Sequence, residues 1–198
     1  EAASTKPFGF MPFYPGPGIG GHCILIDPYY LAWKARQYDF HSSFITLAAQ
    51  TNESMPFRVV DRLVSVLGAN RISVAQAKIL VLGAAFKKNV ADTRESPAIK
   101  VMGLLHRKVK SLAYSDPWVP VLRLNGQVFR SIALSPAVLR RHDCVVILTD
   151  HSKFDYDMIA QHARLILDTR NAIRRPGLKK LHLLGYQRKG YEPNKESH

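Results

Sequence analysis

Lys78-Ile-Leu-Val-Leu-Gly-Ala-Ala-Phe86 limits the folds open to this chain more than any other segment. Its apolar residues follow one another without alternation, so a strand here has to bury both faces. That is the condition of an inner strand in a parallel sheet. Ser96-Pro97 then marks a helix start, because serine offers an oxygen to an unpaired amide and proline lacks a donor where none is needed. Ala98, Val101, Met102 and Leu105 form the apolar face of that helix. The pattern continues with a strand at 109–115, a turn at Asp116-Pro117, a second buried strand at 143–149, a short helix at 156–162 and strands at 165–168 and 181–185. Alternating strands and helices predict a doubly wound, Rossmann-like α/β domain.

The first thirty residues obey other rules. Pro7, Pro12, Pro15, Gly16, Pro17, Gly18, Gly20 and Gly21 rule out a helix or a central strand and predict a structured loop. A short helix is expected over 30–38. A longer one is expected over 40–67, with Phe44, Leu47, Met55, Val59, Val60, Leu63 and Leu67 in register, a kink or new start at Pro56, and closure at Gly68 and Asn70. The expected division is a helical segment with the loop, 1–75, and an α/β domain, 76–198. The chain opens on Glu1 in the middle of a loop, and a fragment or processed product is expected.

The net charge of +13 attracts polyanions, and part of it lies at Arg170, Arg174, Arg175, Lys179, Lys180, Arg188 and Lys189. A solvated basic surface accounts for most of these residues, and at most one or two are expected to meet a ligand. Nucleic-acid binding has only this charge in its favour, since no aromatic platform interleaves with the basic residues. No apolar run reaches the roughly 20 residues of a membrane span. Cys23 and Cys144 do not make a disulfide framework, so a reducing, cytoplasmic setting is expected. No metal is expected.

Three groups of residues carry chemistry. Gly18-Ile-Gly-Gly-His-Cys23-Ile-Leu-Ile-Asp27 holds a thiol on a glycine-rich turn that lets a ligand approach, with a carboxylate four residues on. Taken alone, such a cysteine also reads as a small buried hydrophobe, and Cys144, inside an apolar strand, is assigned that role. Phe86-Lys87 and Arg94 lie between a buried strand and a capped helix, where open α/β sheets bind phosphate-bearing ligands. The plainer alternative is a solvated loop in which Asp92, Arg94 and Glu95 pair with one another. Asp168-Thr-Arg170 ends a further strand, where the arginine could fork onto a phosphate or sit on the surface.

In this order the three groups resemble the UDP-glucose/GDP-mannose dehydrogenase family along essentially the whole chain. The opening Lys6-Pro-Phe-Gly-Phe-Met-Pro-Phe-Tyr14-Pro-Gly-Pro-Gly18 looks like its UDP-N-acetylhexosamine branch. The resemblance implies oxidation of a sugar C6 alcohol to a carboxylate with two NAD. Cys23 would act as nucleophile and Asp27 would order water or proton transfers. Tyr14, Gly20, Gly21, Phe86, Lys87 and Arg170 would contact the UDP-sugar, and Arg94 would reach NAD. It also implies a homodimer built on the long helical segment. The family's main NAD-binding domain, with a Gly-x-Gly-x-x-Gly turn, precedes this region. No turn of that kind is read in this chain, and the chain alone is expected not to turn over substrate. Leu25 and Ile26 depart from the family's Pro-Val or Pro-Lys, which leaves the sugar open. A non-catalytic UDP-sugar-binding or dimerisation module is the competing reading.

Overall fold

The computed structural model describes residues 5, 6, 8, 9, 14–175 and 177–185. The expected loop positions Pro7 and Pro12 and the basic residues Arg188 and Lys189 lie outside them. The elements are helices α1 (Cys23–Arg36) and α2 (Ser43–Ala69), a 3-10 turn (Val74–Gln76), then β1 (Lys78–Leu82), α3 (Pro97–His106), β2 (Ser111–Ser115), β3 (Val121–Leu124), β4 (Gln127–Arg130), α4 (Pro136–Arg141), β5 (Cys144–Ile147), α5 (Tyr156–His162), β6 (Ile166–Asp168) and β7 (Leu181–Leu183).

Five strands form a parallel sheet in the order β2-β1-β5-β6-β7. The continuous apolar run has a simple geometric reason, since successive side chains point to opposite faces. Ile79 and Val81 of β1 join Cys144 and Val146 of β5 in a core under α2 and α3. Leu80 and Leu82 join Val145 and Ile147 in a second core with Leu139 of α4 and Ile159 of α5. Both faces are therefore dry, as the sequence requires.

Helix α3 starts where expected, and the Ser96 hydroxyl accepts the Ala98 amide at 3.2 Å. Two helices differ from expectation. α1 begins at Cys23, seven residues before the expected start at residue 30, and runs through Pro28. Pro28 is tolerated because this helix is barely amphipathic and largely solvent-facing, with Ala32 its single buried residue. α2 is continuous through Pro56. Proline cannot bond the carbonyl four residues back, here Asn52, and Gly18 of the Pro/Gly loop lies so close that a Cβ on it would stand 3.1 Å from that oxygen.

The segment between β2 and β5 forms a hairpin, β3–β4, closed by Asn125 and Gly126, both at positive φ (49° and 79°). That is the two-residue turn whose twist matches paired strands. The second half of α2 belongs to the same core as the sheet: Val59, Leu63 and Leu67 are fully buried with Val81, Ala98 and Val101. Leu63→Ala should therefore lower the stability of the whole α/β unit by about 2–5 kcal/mol. Urea unfolding followed by far-ultraviolet circular dichroism checks this, and a single transition at lower urea is expected.

Candidate functional site

Strand order reverses between β1 and β5, so the crevice of this sheet opens at their carboxyl ends. Gly83 turns the chain out of β1 at φ 84°, and a Cβ there would overlap Thr149, just after β5. The Thr149 hydroxyl donates to the Ala85 carbonyl (2.6 Å) and the Ser96 hydroxyl to the Ala84 carbonyl (2.7 Å). The connection from β1 to α3, which carries Phe86, Lys87 and Arg94, is thus fixed to both of its neighbours.

The Pro/Gly loop lies across this connection. A Cβ on Gly20 would stand 2.7 Å from Phe86 Cβ and 2.8 Å from the Glu95 carbonyl, and one on Gly21 would stand 2.9 Å from the Phe86 ring. The Gly21 amide donates to the Arg94 carbonyl at 3.1 Å. Cys23 follows as the first residue of α1 with its thiol exposed, and Asp27 is exposed one turn further on. Arg94 is exposed too and grips Asp92 through both Nε (3.0 and 3.1 Å) and Nη2 (2.6 Å). These bonds, then the charge of Asp92, raise the Arg94 guanidinium above its ordinary value. The pairing of Asp92 with Arg94 expected of a plain loop is therefore present.

Arg170 is brought to the same place. Its Nε donates to the Leu148 carbonyl (2.9 Å), and a Cβ on Gly16 would stand 2.6 Å from its Nη1. Burial lowers its pKa, with Asp150 opposing. Asp168 holds the turn, accepting the Arg170 and Ile173 amides (both 2.9 Å), while burial raises its carboxyl. Lys87 and Tyr14 are exposed, Tyr14 by 78%. Cys144, in contrast to Cys23, is fully buried and its thiol is pushed up to about 12, as befits a core residue.

Asp116 and His151 belong to this crevice although no sequence motif marks them. Asp116 is buried at the end of β2, and its Oδ2 accepts the Ala84 amide (2.7 Å), the Ala85 amide (3.2 Å) and His151 Nε2 (3.0 Å). Burial pushes this carboxyl up, but hydrogen bonds from His151, Ala84 and Trp118 outweigh it and leave the group below its ordinary value. The one available signal is positional: Asp116 directly follows β2 and His151 lies in the connection that leaves β5, both at the carboxyl end of the sheet.

Two adjoining clefts of about 620 and 550 Å³ share Leu25, Glu53 and Glu95, and Cys23 lines neither. Tyr29, Tyr30 and Trp33 line the first, and the lining of neither includes Phe86, Lys87 or Arg170. Gly16, Gly18 and Gly21 have the spacing of a dinucleotide turn, contrary to the reading that none exists here. They nevertheless cannot serve as one. None of the described residues before them forms a strand, and Arg170, Asn52 with Pro97, and Phe86 occupy the space beside the three glycines.

Fold and crevice together define an open α/β unit with its crevice at the switch point, overlaid by a glycine-rich cysteine loop. Residues 80–175 match the UDP-binding domain of the UDP-glucose/GDP-mannose dehydrogenase family, and residues 1–54 match its central domain. The chain belongs to this family. It is 35% identical over 167 residues to a UDP-N-acetyl-D-mannosamine dehydrogenase of Methanococcus vannielii, and 33% identical over 157 residues to a UDP-N-acetyl-D-glucosamine 6-dehydrogenase of Pseudomonas aeruginosa. These alignments cover 80% and 78% of this chain and 36% of each relative, so the chain spans little more than a third of their length. The solved structure of the UDP-D-ManNAc dehydrogenase from Pyrococcus horikoshii superposes with a TM-score of 0.75 at 31% identity, over 92% of this chain and 42% of that one.

Close packing of the loop on Phe86 yields a direct expectation. Gly20→Ala should detach the loop from the crevice at a cost of about 1–3 kcal/mol. Limited proteolysis should then cut near residues 14–22 at least several-fold faster, with the α/β unit left intact.

Proposed function

We propose that this chain is the UDP-sugar-binding and cysteine-bearing part of an NAD-dependent nucleotide-sugar 6-dehydrogenase that acts on a UDP-N-acetylhexosamine. The observation that carries the reading is the meeting of three sequence-distant motifs at one switch point: Gly20 and Gly21 on Phe86, the Gly21 amide on the Arg94 carbonyl, and Arg170 against Gly16. Relatives named for UDP-N-acetylhexosamine oxidation support the choice of substrate class. Residues 1–75 would form the end of the helical dimerisation domain and 76–198 the UDP-binding domain.

In this reading Lys87 and Arg170 neutralise the diphosphate or orient the sugar, and the Phe86 backbone with Tyr14, Gly20 and Gly21 closes around the nucleotide sugar. NAD, when bound, accepts the hydrides removed from C6. On this chain the exposed guanidinium of Arg94 would reach it, while the turn of Gly16, Gly18 and Gly21 is filled by protein, so the cofactor rests mainly on groups outside these residues. The Cys23 thiolate attacks the C6 aldehyde, forming a C–S bond and an alkoxide. Loss of hydride from that adduct leaves a thioester, and water released onto it gives the carboxylate and returns the thiolate. Asp27, one helical turn from Cys23, orders that water or takes its proton. Two free cysteines, one exposed and one buried, fit the reducing cytoplasmic setting that a thiolate nucleophile needs.

The assembly is proposed to be a homodimer. α1 and the first half of α2 present Trp33 (62% exposed), Phe44 (87%) and Leu47 (59%) to solvent, and exposed apolar surface of this kind marks an interaction site. Light scattering should give twice the chain mass. Phe44→Asp with Leu47→Asp should give the monomer with an unchanged fold, and a monomeric unaltered chain overturns the dimer.

Calorimetric titration with UDP, UDP-glucose and UDP-N-acetylglucosamine tests the ligand reading. Saturable binding is expected for UDP and the N-acetyl sugar, and Lys87→Ala should weaken it about tenfold, or roughly 1.4 kcal/mol. Failure of all three to bind overturns UDP-sugar binding by this polypeptide.

A further inference from the structure

His151 has no surface exposure, yet both of its ring nitrogens are engaged by the crevice. Nδ1 accepts the Asn89 amide at 2.9 Å and therefore carries no proton. Nε2 lies 3.0 Å from Asp116 Oδ2, a carboxylate held below its ordinary value, and is the donor of that pair. The imidazole is thus neutral, and its contact with Asp116 is a hydrogen bond rather than an ion pair.

The same Asp116 oxygen accepts the Ala84 and Ala85 amides. One His–Asp unit consequently holds both ends of a short segment, Ala84 and Ala85 at its start and Asn89 at its end. Phe86 and Lys87 lie between those two fixed points. Asn89 itself sits at φ 59°, in the left-handed region that asparagine takes more readily than other non-glycine residues. Its side chain makes two further bonds to the segment after β5: Nδ2 donates to the Ser152 hydroxyl and Oδ1 accepts the Ser152 amide, both at 2.9 Å. Lys88 adds a partly exposed ion pair to Asp150 at 3.6 Å.

We propose that His151 is a positioning residue for ligand binding, fixing the 86–89 segment through the Asn89 amide so that Phe86 and Lys87 are presented in one geometry. The inference rests on the reading of this crevice as the UDP-sugar site. It assigns no contact between His151 and the ligand. A pre-set loop spares the ligand the entropy of ordering it, so the effect falls on affinity.

The test compares the unaltered chain with His151→Phe, which keeps a buried ring and loses both bonds, and with His151→Asn, whose side-chain oxygen can take over from Nδ1 as acceptor. UDP affinity is measured by calorimetry, and hydrogen exchange is followed separately for residues 84–95 and for β1 and β5. H151F should weaken UDP binding at least tenfold and speed exchange in 84–95 while β1 and β5 keep their protection. H151N should restore most of both. If H151F does not fold, His151→Gln, which keeps a donor for Asp116 without the Nδ1 acceptor, makes the same comparison. Unchanged affinity and unchanged loop exchange in H151F overturn the proposal, as does faster exchange spread equally over β1 and β5. If the unaltered chain does not bind UDP, the ligand reading fails by itself. The exchange arm then decides on His151: acceleration confined to 84–95 supports its positioning role, and none overturns it.

Discussion

Gly83 leaves β1 where Thr149 of the neighbouring connection fills the space a side chain would need. This approach exists because β1 and β5 are adjacent and parallel, with their connections leaving in different directions at the point where strand order reverses. Everything that gathers at the crevice follows from it. Thr149 can reach the Ala85 carbonyl, His151 can reach both Asp116 and Asn89, and the Leu148 carbonyl becomes available to Arg170. Without Cβ-free backbone at residue 83, the two ends would separate and none of these bonds would span the gap.

The glycine-rich loop extends the same principle to a second layer. Gly18 approaches the Asn52 carbonyl that Pro56 cannot bond, so the loop takes up a place made by an imperfection in α2. Gly20 and Gly21 then lie on Phe86, and the next residues lead into α1 with Cys23 at its start. Placement of the thiol therefore depends on α2, on Phe86 and on the Glu95 carbonyl at once. In this loop the glycines serve protein-to-protein contact, which separates it from a dinucleotide turn with the same spacing.

Much of this was legible in the residues. The apolar runs at 79–86 and 143–149 specify buried parallel strands because alternation would leave one face wet. Ser96-Pro97 specifies a cap because few other pairs satisfy the first amides of a helix so economically. Asn125-Gly126 is a strong hairpin signal, but the strands beside it are short and one is mostly exposed, so periodicity alone assigns nothing to 121–130. The start of α1 at Cys23 was hidden by Pro28, which argues against a helix unless the lost bond faces solvent. His151 was out of reach for a different reason. A buried, hydrogen-bonded histidine has no period or spacing of its own, and its importance comes from which backbone amides the fold brings to it.

Arg170 shows how far a residue type can predict a role. An arginine after a strand end suggests a free guanidinium waiting for an anion, and Arg174 and Arg175 nearby are indeed exposed. Arg170 instead gives Nε to the Leu148 carbonyl and lays its guanidinium along Gly16, partly desolvated. Its orientation is set before any ligand arrives, and the Pro/Gly loop depends on it as a surface to pack against. A rigid arginine of this kind loses less entropy on meeting a phosphate or sugar oxygen than a solvated one, while its replacement disturbs the loop as well as the contact. The same logic links Lys87, which is exposed but sits on a segment anchored at both ends, to the two residues that anchor it. In this crevice the groups suited to a ligand are supplied by loops, and their geometry is supplied by buried hydrogen bonds at the ends of β1, β2 and β5.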